Sequence, residues 1–230
     1  MTMTTITVFD KDAYRYREML KSAVSFFGVE EAFFDYFKVY CLKRWITDYD
    51  TSYDILDFGC GIGKLATVLA KTFQKSCVYG YDISCASLSV AREANTTIKN
   101  VYFVNDLNGK KKYDFIIAAN VFHHIRVAEH DAVLLKMKML LNNKGKICIF
   151  EHNPLNLLTQ YVVRRFPLDV DAKLIWRHVF IKKVLLKELK VVAKEYILFF
   201  PWRVDLFRKI ERFLVHIPLG AQYMLILDNG

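Results

Sequence analysis

The chain has 230 residues, 53% of them hydrophobic, 15% aromatic and 25% charged. That content excludes a disordered chain, and the length is enough to bury one sizeable core. The nine Gly and four Pro exclude collagen-like or linker-built architectures. The formal net charge is +9, with 20 basic against 16 acidic residues in 1–150 and 13 against 8 in 151–230. The basic excess is therefore denser in the last third, which suits an acidic substrate, a phosphate-bearing lipid surface, a nucleic acid or a solvated basic face.

Residues 10–47 read as helical, because apolar side chains recur at three- and four-residue steps through Tyr16, Leu20 and Val24, and again through Phe33, Phe37 and Cys41. The rhythm then changes. Short apolar runs at 53–58, 76–81, 101–104, 115–119 and 146–150 read as strands. Amphipathic stretches at 65–73, 86–94 and 131–141 read as helices. Alternating strands and helices predict right-handed βαβ units and a mostly parallel sheet, covered on both faces. After 151 the alternation weakens. Two further strands are expected at 191–200 and 223–227, joined by an amphipathic helix at 204–214. The five cysteines (Cys41, Cys60, Cys77, Cys85, Cys148) form no CxxC pair, so neither a disulfide framework nor a metal site is expected. No secretory signal and no apolar run near 18 residues is visible, and a cytoplasmic location is expected.

The chemistry is carried by Asp57-Phe58-Gly59-Cys60-Gly61-Ile62-Gly63-Lys64-Leu65, placed where the first strand turns into a helix. Glycines there let the backbone bend sharply and approach a ligand, and the helix N-terminus offers unpaired N–H groups. A nicotinamide dinucleotide site wants glycine at 59, 61 and 64. Position 64 is Lys, and Asp57 would repel a diphosphate but can help position an ammonium or sulfonium group. Asp82 ends the second strand, where a carboxylate accepts ribose hydroxyls or caps the next helix. Asn105 and Asp106 follow the third strand, where a polar group can meet an adenine amino group between Ile83 and Leu107.

The series Asp57 to Gly63, Asp82, Asn105-Asp106 and Asn120-Val121-Phe122-His123-His124-Ile125 resembles the class I S-adenosylmethionine-dependent methyltransferases. The ends are similar to a bacterial small-molecule branch of the type 11/12 kind: Phe9, Asp10 and Tyr16 near the start, Glu151-x-Asn153-Pro154 after strand five, and Pro218-Leu219-Gly220-Ala221-Gln222-Tyr223 near the end. Arg17 and His152 depart from that branch, which puts the acceptor's identity with close relatives in doubt. The resemblance implies a Rossmann-like α/β fold: a seven-stranded, mostly parallel sheet, last strand antiparallel, helices on both faces, under an N-terminal helical cap. It implies one domain over 1–230, with 1–50 as cap, 51–152 as cofactor core, and 153–230 as acceptor-side segment and final strands. The implied cofactor is S-adenosylmethionine, held by Asp57, Gly59, Gly61, Gly63, Asp82, Ile83, Asn105, Asp106, Leu107, Asn120 and Tyr16. The resemblance implies methyl transfer to a small-molecule acceptor; the expected reaction is O-methylation of a hydroxyl on a metabolite, sugar or lipid-linked precursor.

A hydroxyl acceptor must lose a proton, and His suits that work near neutrality. The candidates are His123, His124, Glu151 and His152. Of the adjacent pair, one imidazole is expected toward substrate and one as support. His152 is expected as base, or Glu151 with His152 orienting the acceptor. Tyr16 is expected over the sulfonium face and Tyr14 against the acceptor. Arg164 and Arg165 are expected to read an anionic group on it. Arg203, Arg208, Lys209 and Arg212 line a helix whose other face is apolar. That helix packs on the sheet or meets an anionic membrane surface. A nucleic-acid partner is not expected: Asn120-Val121-Phe122-His123 stands where amino-methylating enzymes carry Asn/Asp-Pro-Pro-aromatic. RNA methylation and a non-catalytic cofactor-binding scaffold are the competing readings.

Overall fold

The computed structural model describes residues 32–166, 169, 172–200 and 205–230. Helix α1 (Phe33–Leu42) precedes β1 (Asp54–Phe58), α2 (Lys64–Thr72), β2 (Cys77–Tyr81), α3 (Cys85–Ala94) and β3 (Val101–Val104). Strand β4 (Tyr113–Ala119) leads through short 3₁₀ turns into α4 (His130–Leu140) and β5 (Leu141–His152). Helices α5 (Leu157–Arg165) and α6 (Arg177–Leu185), strand β6 (Lys190–Ile197), helix α7 (Asp205–Leu214) and strand β7 (Gln222–Asp228) complete the order.

The seven strands run in the order β3-β2-β1-β4-β5-β7-β6. Strands β1 to β5 pair in parallel, and β7 runs antiparallel to both β5 and β6. Alternate residues of each strand enter opposite cores, as the two-residue period of a strand requires. Ile55, Ile117, Phe150 and Ile226 pack with Phe37, Leu65, Leu69 and Leu88 of α1, α2 and α3. Leu56, Ile116, Ile149 and Leu225 pack with Leu134, Met137, Phe180 and Val184 of α4 and α6. Burial on both faces explains the unbroken apolar runs. Each fully buried Leu or Ile contributes roughly 1.5–3 kcal/mol.

Boundaries differ from expectation at three places. Strand β5 starts at Leu141 directly after α4, with Asn142 Nδ2 donating to Asp114 Oδ1 of β4 (2.6 Å). Strand β6 stops at Ile197, and the next residue, Leu198, takes φ 62°. Helix α7 covers only part of the apolar face read from its sequence: Phe207 stacks on Phe200 (ring centroids 4.7 Å), while Ile210 is exposed. Phe213 is 84% exposed, while Glu211 is buried and accepts the Phe199 and Phe200 N–H groups (2.7 and 3.0 Å). Of the helical reading over 10–47, α1 is described. Phe9, Asp10, Tyr14, Tyr16, Arg17 and Arg203 lie outside the described residues. No described helix is long and apolar enough to cross a membrane.

The sheet order reverses between β1 and β4, which go to opposite sides from their neighbouring chain segments. In open α/β sheets ligands bind outside the carboxyl ends of the strands at this switch point.

Candidate active site

A cavity of about 640 Å³ opens at that switch point, and β1, β2, β4 and β5 each deliver chain to its wall. On the β1 side the wall is mainly backbone. Gly59, Gly61 and Gly63 all take positive φ (75°, 52° and 76°), which an L side chain adopts only at a cost. A Cβ on Gly63 would meet the Phe103 ring at 2.7 Å, whereas a Cβ on Gly61 would meet nothing within 4 Å. Gly61 thus faces open space in the cavity, and Gly63 allows α2 to close on the sheet.

Asp82 ties β2 to this turn. Its Oδ2 accepts the Gly61 N–H (2.7 Å) and its Oδ1 accepts the Ser84 N–H (2.9 Å). The N-cap of α3 is Ser84, whose Oγ accepts the Ser87 N–H (3.1 Å). Asp57 is buried, and its Oδ2 has no hydrogen-bond partner. Burial, then the neighbouring Asp35 carboxylate, pushes its carboxyl up to about 8.

Helix α1 lies across this half and adds a residue that sequence reading missed. Lys38 is buried against the cavity, and burial lowers its ammonium pKa despite the nearby Asp35 and Asp57. Lys64 Nζ lies 3.9 Å from Asp35 Oδ2. The available signal was position: Lys38 follows Phe34 by four residues and precedes Cys41 by three, inside the apolar stripe.

Ile83 and Asn120 also line the cavity. Asn120 takes φ 59°, a left-handed conformation Asn tolerates better than most, and its Oδ1 accepts from Gln222 Nε2 (3.1 Å). The structure does not bring Asn105, Asp106 and Leu107 to the cavity wall. Beyond edge strand β3 the chain turns to solvent: Asn105 and Asp106 are exposed, and Asn105 Nδ2 contacts Cys85 Sγ at 3.6 Å.

The β4/β5 side is built from side chains. Glu151 is buried. Its Oε1 accepts the Val121 and Phe122 N–H groups (3.0 and 2.7 Å), and its Oε2 accepts from His123 Nδ1 (2.6 Å). Both carboxylate oxygens are thus engaged, which gives Glu151 the place of an anchor for His123 rather than of a base. Asp169 completes the corner, its Oδ1 lying 3.8 Å from His123 Nε2 and 3.3 Å from His124 Nε2. Backbone bonds position it, Asp169 N–H to Phe166 O (2.9 Å) and Lys173 N–H to His123 O (3.0 Å). No motif in the sequence pointed to Asp169. His123, His124, His152 and Asp169 all reach the cavity wall.

Burial opposes charge on His123, but Glu151 and then Asp169 outweigh it and hold the imidazole up at about 9. Burial also opposes charge on Glu151 and Asp169, and their histidine partners win, keeping both below the usual carboxylate range. Burial, reinforced by His123, lowers His124 and takes His152 down to about 4. The corner therefore sets a charged imidazole between two carboxylates, with two neutral imidazoles beside it.

Helix α5 walls the far side with Val162, Val163 and Phe166. Arg164 and Arg165 are exposed and turn away from the cavity, correcting their expected role. Arg164 Nη2 donates to Gln160 Oε1 (3.2 Å), and the Arg165 guanidinium lies 4.5 Å from the Tyr161 ring. Helical spacing that puts Val162, Val163 and Phe166 inward leaves 164 and 165 outward.

The methyltransferase-domain family matches residues 50–192, which span the Gly-rich turn, both carboxylates and the histidine corner. The chain belongs to that family. Its fold is that of the class I S-adenosylmethionine-dependent methyltransferases. Protein RP028 of Rickettsia prowazekii (strain Madrid E) is 31% identical over 108 residues, covering 44% of this chain and 43% of that protein. The match thus spans less than half of that relative's length. Magnesium protoporphyrin IX methyltransferase (ChlM) from Synechocystis PCC 6803, with bound SAH, superposes with TM-score 0.67 at 14% identity, over 98% of this chain and 99% of that one. The mitomycin 7-O-methyltransferase MmcR superposes with TM-score 0.61 at 12% identity, over 80% of this chain and 50% of that one. At such identities these likenesses show the fold alone.

The residues present fit the donor. A partnerless buried carboxylate oxygen stands beside a buried ammonium, as a zwitterionic methionine end requires. Gly61 leaves the space a side chain would fill, and Asp82 stands on the cavity wall at the end of β2.

Proposed function

We propose that this methyltransferase acts on an oxygen of a small-molecule acceptor, within one unit made by the whole chain. The observation that carries the reading is the single cavity joining the Gly-rich turn to the histidine corner and the apolar wall of α5. Its volume lies within the range of small-molecule sites, roughly 300–1,000 Å³. Asp57 would face the methionine ammonium, Lys38 the carboxylate, and Asp82 the ribose hydroxyls. S-adenosylmethionine, when bound, supplies an electrophilic methyl on a sulfonium sulfur.

The chain's own contribution is alignment and a receptive corner. Holding two reactants in contact is worth roughly 7–11 kcal/mol of barrier. His152 faces the cavity beside the paired His123 and accepts a hydrogen bond from the acceptor hydroxyl. Val162, Val163 and Phe166 cover the apolar body of the acceptor and exclude water. Two structural neighbours methylate small molecules by their names, one of them at oxygen, which supports the class and not the compound.

Contact with an anionic membrane surface is part of the proposal for the C-terminal third. Its support is Phe213, 84% exposed on α7 beside the exposed Lys209 and Arg212. Co-sedimentation with anionic vesicles tests it, and loss of binding in Phe213→Asp is expected.

The acceptor is sought by incubating purified protein and S-adenosylmethionine with a metabolite extract. Mass spectrometry should show one compound gaining a methylene, absent with Asp82→Ala. An RNA-confined product would contradict the proposal.

A further inference from the structure

The histidine corner holds its donors close together in a way that an ordinary ion-pair network does not require. His123, His152 and Asp169 each place one ligand atom within 4.8 Å of the other two. The imidazoles crowd one another, with ring centroids 4.1 Å apart for His123 and His124 and 5.1 Å for His123 and His152. Tetrahedral ligands at 2.0–2.1 Å from a zinc ion sit roughly 3.3 Å apart. The observed 3.8 Å between His123 Nε2 and Asp169 Oδ1 is near that spacing.

The surroundings match what a metal-bound imidazole needs. His123 Nδ1 points at Glu151 Oε2 (2.6 Å), which directs Nε2 toward Asp169. A carboxylate on the far nitrogen is the usual outer partner of a metal-ligating histidine, fixing both ring orientation and tautomer. Glu151 is itself pinned by two backbone N–H groups. The cluster stands on the cavity wall, so a fourth position opens toward the acceptor.

We propose that His123, His152 and Asp169 form a binding site for a divalent transition-metal cation of the zinc type, open on the cavity side, the cation displacing the Nε2 proton of His123 to solvent. Two imidazoles and one carboxylate suit Zn²⁺, Co²⁺ or Mn²⁺, whereas Mg²⁺ and Ca²⁺ favour all-oxygen sets. This rests on the proposed function in one respect: the open position takes the acceptor oxygen, which then meets the cation instead of His152. A hydroxyl so bound is more acidic and releases its proton to water. No spacing along the chain points to the site, because the three ligands come from two strand ends and a distant turn.

The test uses the full chain, stripped with a chelator, then titrated with Zn²⁺ by calorimetry and with Co²⁺ by visible absorption. The expected result is one equivalent of Zn²⁺ and a saturable Co²⁺ d–d spectrum. His152→Gln and Asp169→Asn, checked for folding by circular dichroism, should each weaken Zn²⁺ about tenfold or more and erase the spectrum. His216→Gln, on the exposed surface, should change neither. Absence of the spectrum in the unmutated chain, or its persistence in both folded variants, overturns the site. S-adenosylhomocysteine is titrated into the same sample. Its binding without a Co²⁺ signal removes the metal site alone, and failure of both removes the functional reading as well.

Discussion

The two halves of the cavity sit at one end of one sheet and are made differently. The half after β1 and β2 is a backbone device: three left-handed glycines shape it, and Asp82 pins the turn through the Gly61 N–H. The half after β4 and β5 is a side-chain device: Glu151, His123, His124 and Asp169 hold one another, and the backbone mainly supports them. A backbone device tolerates no added Cβ. A side-chain device tolerates changes of backbone but not the loss of a charged partner. The two should therefore break in different ways.

The largest effect is expected from Glu151→Gln. His123 and Glu151 side chains are each 1% exposed, and uncoupling such a pair leaves the buried imidazole with only the more distant Asp169 opposite it. Urea denaturation should show a loss of about 3–5 kcal/mol. A loss under about 1 kcal/mol would mean the corner is not held by this pair.

The glycines come next, and they should separate stability from binding. Gly63→Ala combines a left-handed conformation, roughly 1–2 kcal/mol, with a Cβ at 2.7 Å from Phe103, roughly 1–3 kcal/mol more. Gly61→Ala carries only the conformational cost, yet its methyl enters the cavity. Its denaturation midpoint should fall less than that of Gly63→Ala, while affinity for S-adenosylhomocysteine drops further. Equal losses in both properties for both variants would erase the distinction.

A smaller, pH-dependent effect is expected at Asp57. Its carboxyl stands at about 8 in the folded chain, against an ordinary value near 4 unfolded. Between those limits the folded chain holds a proton that the unfolded chain has released. Stability from this group is therefore complete below about pH 4 and is lost as pH rises toward 8. Facing a ligand ammonium favours the ionised form, so S-adenosylhomocysteine binding at pH 7 should release up to one proton. Calorimetry in buffers of different ionisation enthalpy reads that release, and Asp57→Asn should abolish it.

The smallest effect is expected from the double change Arg164→Ala and Arg165→Ala. Both side chains face away from the cavity, so stability should move by no more than about 0.5 kcal/mol and acceptor affinity should hold. A loss of acceptor binding would bring α5's outer face into the site.

The same contrast explains what the sequence made legible. The strands of the sheet and the Gly-rich turn could be read because each is fixed by local pattern: apolar runs of strand length, glycines at set spacing, an acid at a strand end. Asp82 was readable for the same reason. The corner was half legible. His123, His124, Glu151 and His152 stand at strand ends, but their division of labour depends on which oxygen meets which N–H. Asp169 and Lys38 were invisible because convergence from distant segments leaves no spacing to read. Arg164 and Arg165 misled because residue type was read without helical phase. The exposed Phe213 and buried Glu211 of α7 depart from its amphipathic reading, because Glu211 accepts the Phe199 and Phe200 N–H groups, while Phe207, stacked on Phe200, keeps to it.

The central claim is that the turn after β1 seats an adenosyl-methionine compound and not a dinucleotide. Calorimetric titration with S-adenosylhomocysteine and with NADH, on the unmutated chain and on Asp82→Ala, tests it most directly. Saturable heat is expected with S-adenosylhomocysteine, weakened about tenfold or more by Asp82→Ala, and none with NADH. Heat with NADH alone would contradict it.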